Sequence, residues 1–359
     1  MFYDNNILAI DIGSKYIKVI HGKVKGSGVS LINYGICETP KETYVDENMG
    51  NKRDIAKAIS ELLNSKNIKC KNVRMGIKGQ DIITRHIEMP LLSDKQLKQA
   101  VKLDIQQYLS MDPNDYVIDS KKINKIETKE KKAYNVLLVA APKRKIDNYF
   151  FIADKLGLKV EAIDLLSNSV VRFFDMKDIN KVNNDMKKCT AMIDIGYEST
   201  LITIIEDGKL FFERELGSGI QDIDIMLRKA FGASIDEIEA LRRDIVSLNN
   251  SEKDKDNADP RVYYANNNAR GIMDNLIDNI IKVFDFYTSS GINKNINCVY
   301  LYGGGSKLNG IIDYIKSSIN IETKIFNEEM ISNIYNISND MKKDMELYIN
   351  CISLLLRKD

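Results

Sequence analysis

The chain has 359 residues, enough for two domains or one large two-lobed body, and its 44% hydrophobic and 29% charged residues suit a globular protein with a sizeable core. With 52 basic and 51 acidic side chains the net charge is +1, so nothing in the balance asks for nucleic acid as a partner. Five scattered cysteines (Cys37, Cys70, Cys189, Cys298, Cys351) with no CxxC pair, and two histidines (His21, His86), make no metal-ligand cluster and point to reduced thiols in a cytoplasmic protein.

In chain order, residues 7–12, 15–21 and 29–34 read as three strands rich in Ile, Val and Leu, with the turn signals KVKGSG and NYG between or after them. NKRDIAKAISELLNSKNI predicts an amphipathic helix with Ile55, Ala58, Ile59, Leu62 and Leu63 on one face. A different texture follows. NVRMGIKGQDIITRHIEMP reads as strands. SDKQLKQAVKLDIQQYLS reads as a helix capped by Ser93 with Gln96 three places on. YVIDSKKINKIETKEKKAYNVLLVAAP reads as a hairpin with a lysine-rich, solvated tip. This block, residues 73–142, is expected to be an inserted α+β subdomain, and RKIDNYFFIADKLGL continues as a helix.

The pattern restarts near residue 189, with strands at 191–195, 199–205 and 209–214 and helices at about 218–230, 234–247 and 265–290. The polar interval SLNNSEKDKDNADPR reads as a mobile loop. NCVYLYGGGS is a strand entering a glycine turn, with a helix in KLNGIIDYIKSSI behind it. The ending KDMELYINCISLLLRKD reads as a buried helix rather than a membrane anchor, because Tyr348, Ile349, Ile352 and Leu354 to Leu356 cover more than one face. No segment approaches the ~18 apolar residues that span a bilayer. The N-terminal stretch lacks the basic region and small-residue cleavage site of a signal peptide.

Two strands end in the same four residues, Ile-Asp-Ile-Gly, with the aspartates at 11 and 194. The glycine lets the chain turn sharply with no Cβ in the way. The backbone N–H groups from Gly13 to Lys15 can then point at an anion, and Ser14 adds a hydroxyl. A carboxylate beside a phosphate makes sense only with Mg²⁺ between them, held directly or through waters. Each turn alone is also explained by a strand ending in a β-turn; the pair, each followed by a hairpin, favours two turns that clamp a polyphosphate from both sides. The third turn, YGGGSKLNG, allows close backbone approach to a ligand ahead of a helix N-terminus. It is neither a Walker A loop nor the dinucleotide GxGxxG fingerprint.

AIDIGSKYIKV, MIDIGYESTLITI and LYGGGSKLNG resemble the two phosphate motifs and the adenosine motif of the actin/Hsp70/sugar-kinase ATPase superfamily. Within it, the inserted block with RHIEMP, QLKQAVKLDIQQYLSMD and NVLLVAAPKRKIDNYFFIADKLGLKVEAIDL resembles the FtsA-like PilM family of type IV pilus assembly. RELGSGIQDIDIMLRKAFGASIDEIEALRR and the short ending CISLLLR add to that resemblance. It implies an α/β, bilobed actin-like ATPase fold of two duplicated RNase H-like domains. Residues 1–72 and 143–188 would form the first lobe, 73–142 the inserted subdomain and 189–359 the second lobe.

The resemblance further implies ATP and Mg²⁺ in the cleft, with Asp11 and Asp194 serving the metal. Gly13, Ser14, Lys15, Gly196 and Ser199 would contact phosphates, and Gly303, Gly304 and Gly305 would line the adenosine. Glu239 and Arg242 would lie near ribose and base, with Arg departing from the Glu-x-x-Lys pattern; a solvated helix face explains the pair as well. Tyr197 and Glu198 fill the second turn where smaller residues are common. Asp164, in VEAIDLL, is the candidate to position a hydrolytic water, against the alternative of capping the next helix; turnover is expected to be slow at most.

The implied partner is the cytosolic N-terminal tail of a PilN-like membrane protein, with other pilus platform or motor proteins as further candidates. That contact would make the protein peripheral at the inner face of the cytoplasmic membrane without direct insertion. A polymerising FtsA- or MreB-like cytoskeletal ATPase and a small-molecule kinase are the alternative functions.

Overall fold

The computed structural model describes residues 5–26, 28–41, 44–45, 48–109, 112–127, 132–174, 189–234, 237–249, 259–292, 294–331 and 333–358. β1 (Asn6–Ile12), β2 (Tyr16–Lys25) and β3 (Gly28–Glu38) form an antiparallel meander. A two-residue ribbon, β4 (Tyr44–Val45) and β5 (Asn48–Met49), precedes α1 (Lys52–Ser65). β6 (Asn72–Ile77) then runs parallel to β1. β7 (Ile83–Pro90), α2 (Asp94–Asp104), β8 (Tyr116–Glu127) and β9 (Lys132–Pro142) follow, then α3 (Lys143–Lys155) and β10 (Lys159–Leu165), which runs parallel to β6.

The second half repeats this logic after the short helix α4 (Leu166–Val170). β11 (Cys189–Ile195), β12 (Thr200–Glu206) and β13 (Lys209–Leu216) form a second meander. Helices α5 (Gln221–Phe231), α6 (Ile238–Ile245) and α7 (Pro260–Ser289) lead to β14 (Cys298–Tyr302), parallel to β11. α8 (Ile311–Ile319), β15 (Thr323–Ile325), β16 (Ile334–Tyr335), α9 (Asn339–Lys343) and α10 (Met345–Leu355) complete the described elements. The sheet orders are β10-β6-β1-β2-β3-β16 and β13-β12-β11-β14-β15. Each half is thus a three-strand meander with two parallel strands added beside its first strand.

Period-two alternation decides which way the strand ends point. Leu8, Ile10 and Ile12 pack with Ile55 and Ile59 of α1 and Ile152 of α3. Ile7 and Ala9 face the opposite way, into a core that also holds Met192, Tyr300 and Tyr302 of the second sheet. Asp11 continues the Ile7–Ala9 face. In the second lobe Ala191, Ile193 and Ile195 pack on α5 and α7, so Met192 and Asp194 take the inter-lobe face. The repeated tetrapeptide therefore delivers one carboxylate from each sheet to the space between the lobes.

Two expectations are corrected. The sequence texture places β6 in the inserted block, but its register opposite Asp11 at Gly76 makes it a central strand of the first sheet. The inserted subdomain is the separate sheet β7-β9-β8. Second, residues 189–359 do not all belong to the second lobe: β16 pairs with β3, and α10 packs against β1, β2 and β6. A near-uniformly apolar helix needs cover on all sides, and the crevice between two sheets supplies it; every residue from Tyr348 to Leu355 is buried. The apolar stripe of the inserted helix packs on that block's own strands, with Leu97, Val101 and Ile105 buried against Val136 and Leu138 of β9. Ser93 caps α2 in the expected capping box. The lysine-rich tip at 128–131 and most of the loop at 247–261 lie outside the described residues. The cysteines form no disulfide.

Candidate functional site

The two Ile-Asp-Ile-Gly turns have the same geometry. Gly13 N–H donates to the Tyr16 carbonyl at 3.0 Å, and Gly196 N–H donates to the Ser199 carbonyl at 3.0 Å. A Cβ on either glycine would stand 2.9 or 2.6 Å from that carbonyl, so the turns close only with glycine. They face one another: the Glu198 N–H donates to the Ser14 hydroxyl across the lobes at 3.3 Å. Between them opens a cleft of about 690 Å³.

Asp11 and Asp194 lie at the floor of this cleft, both buried. Asn350 of α10 donates to both, at 3.2 Å to Asp11 Oδ2 and 3.0 Å to Asp194 Oδ2. Their electrostatics differ. Burial pushes the Asp11 carboxyl up, but the Lys18 ammonium at 2.8 Å, Lys78 and Asn350 outweigh it and hold the group below its ordinary value. Among the described residues Asp194 has no ion-pair partner within salt-bridge distance, and burial with the nearby Asp11 charge lifts it above its ordinary value despite Lys78, Lys18 and Asn350. Among the described residues two buried polar atoms nearby have no hydrogen-bond partner, Asn350 Oδ1 and the Tyr302 hydroxyl. Buried groups of this kind are normally satisfied, and here they face a cleft.

The glycine run lines the same cleft. Two of its glycines are demanded by packing against β11. A Cβ on Gly303, at φ +82°, would lie 2.1 Å from Asp194 Oδ1, and one on Gly305 would lie 2.2 Å from Ile195 Cγ2. Gly304 is open, with only Leu347 Cδ2 within 4 Å of such an atom.

Lys15, Glu239 and Arg242 also line the cleft, where they are bound to one another's neighbours across it. Lys15 Nζ lies 3.4 Å from both Asp224 and Glu239, the Tyr16 hydroxyl donates to Glu239, and Arg242 pairs with Asp224. Burial pushes Glu239 up, but Tyr16, Lys15 and Arg242 together hold it below its ordinary value. Both join a network between the lobes, Arg242 largely buried and Glu239 on an exposed position with half its side chain in solvent.

Two expected residues sit elsewhere. Ser199 turns away from the main cleft and donates to Glu215 at 2.6 Å, lining an inner cavity of about 350 Å³ behind the turns. Asp164 lines neither space. Its carboxylate is saturated by Arg172, by Arg357 at 3.0 Å and by Asn168 at 2.9 Å. Burial raises this carboxyl, yet the two arginines and Asn168 hold it below its ordinary value. A group so committed does not position a water, and it does not cap α4, whose cap residue Leu165 receives no side-chain bond.

Sequence reading missed Lys18, Lys78, Asn350, Asp224 and Tyr302. Lys18 had a signal: it stands directly opposite Asp11 in the hairpin register. Asn350 had one too, as the polar residue inside the apolar run YINCISLLL.

A duplicated meander-plus-parallel sheet with facing turns and an inter-lobe cleft defines a protein of the actin-like ATPase fold. It is similar in fold to the solved "PilM-PilN type IV pilus biogenesis complex" (TM-score 0.80, 19% identity, 98% of this chain and 97% of that one). It is also similar to the ethanolamine utilization protein EutJ of Carboxydothermus hydrogenoformans (TM-score 0.57, 11% identity, 97% and 88%) and to MreB5 of Spiroplasma citri bound to ADP (TM-score 0.52, 12% identity, 97% and 94%). Residues 9–359 match the family model of the type IV pilus assembly protein PilM, and the chain belongs to that family. Among the described residues no helix is long and apolar enough to cross a membrane, and no group of three or more His, Cys, Asp or Glu gathers as a metal site.

Proposed function

We propose that this chain is an ATP-binding adaptor of the type IV pilus inner-membrane platform, holding Mg²⁺-ATP between its lobes and the cytosolic tail of a PilN-like membrane protein at its first lobe. The observation that carries the nucleotide half is the pair of facing turns over two buried carboxylates, with Asn350 Oδ1 and the Tyr302 hydroxyl left open toward the same space. The residues present fit the group. The Ser14 and Lys15 N–H groups and the Ser14 hydroxyl would bind phosphates at the turns that Gly13 and Gly196 close, and Gly304, the open member of the glycine run, would let the adenosine approach. Asp11 and Asp194 would hold Mg²⁺ directly or through waters, as an ion that keeps several waters needs only one or two carboxylates from the protein. Bound Mg²⁺ would neutralise the phosphate charge. Lys18 already neutralises Asp11, so the first turn tolerates an anion even before the metal arrives.

The partner half rests on family membership and on the inserted subdomain. Both β7 and β8 are edges of its sheet, and Leu91, Leu103, Tyr108 and Val117 there, with Phe150 on α3, expose large apolar side chains. Unpaired edges and apolar anchors are what an extended peptide uses when it orders on contact. Through that tail an otherwise peripheral protein would be held at the inner face of the membrane. The nucleotide half is tested by calorimetric titration of ATP with and without Mg²⁺; heat that is absent in both refutes it. The partner half is tested by deleting the PilN-like tail in cells and following this chain by fractionation. Membrane recruitment that survives the deletion refutes it.

A further inference from the structure

One basic residue joins the main cleft to the inner cavity. β6 runs parallel to β1 with Gly76 opposite Asp11, and it ends at Ile77. Lys78 therefore leaves the sheet at the carboxyl end of the strand beside the first turn, the end at which open α/β sheets bind ligands. It lines both spaces, together with Asp11, Gly13 and Ser14. Its ammonium lies 3.6 Å from where a Cβ on Gly196 would stand, which puts it at the lip of the second turn. The glycine run lines only the main cleft, whereas Lys78 reaches the inner cavity as well.

The ammonium groups around the turns are not equivalent. Lys18 is committed to Asp11 at 2.8 Å. Lys15 is held at 3.4 Å by Asp224 and Glu239 on the far side. Lys145, also on the inner cavity, is taken by Asp81 and by the Lys78 carbonyl. Among the described residues Lys78 has one ion-pair partner, Glu215, at 3.7 Å. That is beyond a direct hydrogen bond, and the same Glu215 oxygen already accepts from Ser199. The Lys78 charge nevertheless acts on Asp11, Asp194 and Glu198 at once, so it sits centrally among the carboxylates of both turns.

We propose that Lys78 receives the outermost phosphate of a nucleoside triphosphate laid between the two turns, and so makes the cleft discriminate triphosphate from diphosphate. This rests on the nucleotide reading above. A nucleotide whose base end lies at the glycine run would extend its phosphates past Asp11 and Ser14 toward the shared wall, where Lys78 stands with only the 3.7 Å ion pair to Glu215 among the described residues. A diphosphate stops short of it. An ammonium meeting phosphate oxygens out of bulk water makes a charge-assisted bond stronger than a neutral one.

The test is calorimetric affinity for Mg²⁺-ADP and for a Mg²⁺-bound non-hydrolysable triphosphate analogue, in the wild type and in Lys78→Met, Lys78→Gln and Lys78→Arg. Met and Gln are expected to weaken the triphosphate by about ten- to a hundredfold while ADP changes by less than about twofold. Arg, which keeps the charge, recovers most of the triphosphate affinity. The use of both Met and Gln keeps the comparison intact if one of them folds poorly. Equal weakening of ADP and triphosphate, or no weakening of either, overturns the assignment while leaving the nucleotide reading in place. Failure of the wild type to bind either nucleotide overturns the reading beneath it.

Discussion

Replacing Asp164 with Asn separates a structural carboxylate from a catalytic one. The change keeps the shape and removes the charge. In the folded protein that charge faces Arg172 and Arg357, with side-chain exposures of 8% for Asp164, 13% for Arg172 and 34% for Arg357. Removing one member of a buried pair costs about 3–5 kcal/mol, because the remaining ion stays buried and uncompensated. Arg357, about a third exposed, is partly solvated, and its share falls to at most about 1 kcal/mol. The amide oxygen still accepts one bond, so the lower end is expected, about 3 kcal/mol. For a chain of this size that is a fall of roughly 5 °C or more in Tm.

The pH dependence fixes the mechanism. The Asp164 carboxyl is held below its ordinary value in the fold, so its contribution is present above the unfolded value and lost as pH falls through the folded one. The gap between wild type and Asp164→Asn is therefore full at pH 7 and closes below about pH 4. Thermal unfolding followed by circular dichroism at both pH values measures the gap, and calorimetry with Mg²⁺-ATP measures binding, which is expected to be unchanged. A variant as stable as wild type at pH 7 that has lost nucleotide turnover would refute the structural assignment and restore Asp164 to the chemistry.

Three further outcomes are expected. Asp11→Asn and Asp194→Asn should each weaken Mg²⁺-ATP by about ten- to a hundredfold in calorimetry, since each removes one charged side of the clamp, and unchanged affinity in both removes them from the metal. Gly303→Ala places a Cβ 2.1 Å from Asp194 Oδ1 at a left-handed φ of +82°, so it should lower Tm and distort the cleft; a variant with wild-type Tm and affinity contradicts that packing. ATP hydrolysis by the chain alone should be slower than the ~10 s⁻¹ typical of enzymes, as no residue of the cleft stands out as a water-positioning group; rapid phosphate release in a steady-state assay contradicts this.

What the sequence disclosed was local. The two Asp-Ile-Gly turns were legible because each hairpin closes within a few residues, and period-two alternation carries their carboxylates to one face. The cap of α2 was legible for the same reason, since Ser93 and Gln96 are three residues apart. What escaped depends on contacts far along the chain. Asn350 meets Asp11 and Asp194 from positions 339 and 156 residues away, and no pattern around it specifies those partners. Asp164 read as a strand-end carboxylate free to act; Arg357, 193 residues on, helps to occupy it. β6 was misplaced because its own residues fit a central strand of either sheet, and only pairing with β1 and β10 decides between them.

The two hairpins are pseudo-symmetric copies in register, but at the aspartate rung they differ in charge. Opposite Asp11 stands Lys18, and opposite Asp194, in the equivalent register, stands Leu201. A perfectly twofold cradle would accept an elongated anion in either direction. Here one half-site carries an ion pair within its own hairpin, and the other carries a carboxylate without one, held above its ordinary value by burial and by Asp11. The broken symmetry gives the cleft a polarity: the two ends of a bound molecule meet different potentials, and reversing it would cost the difference. Duplication supplied the shape, and a single lysine in one copy supplied the direction.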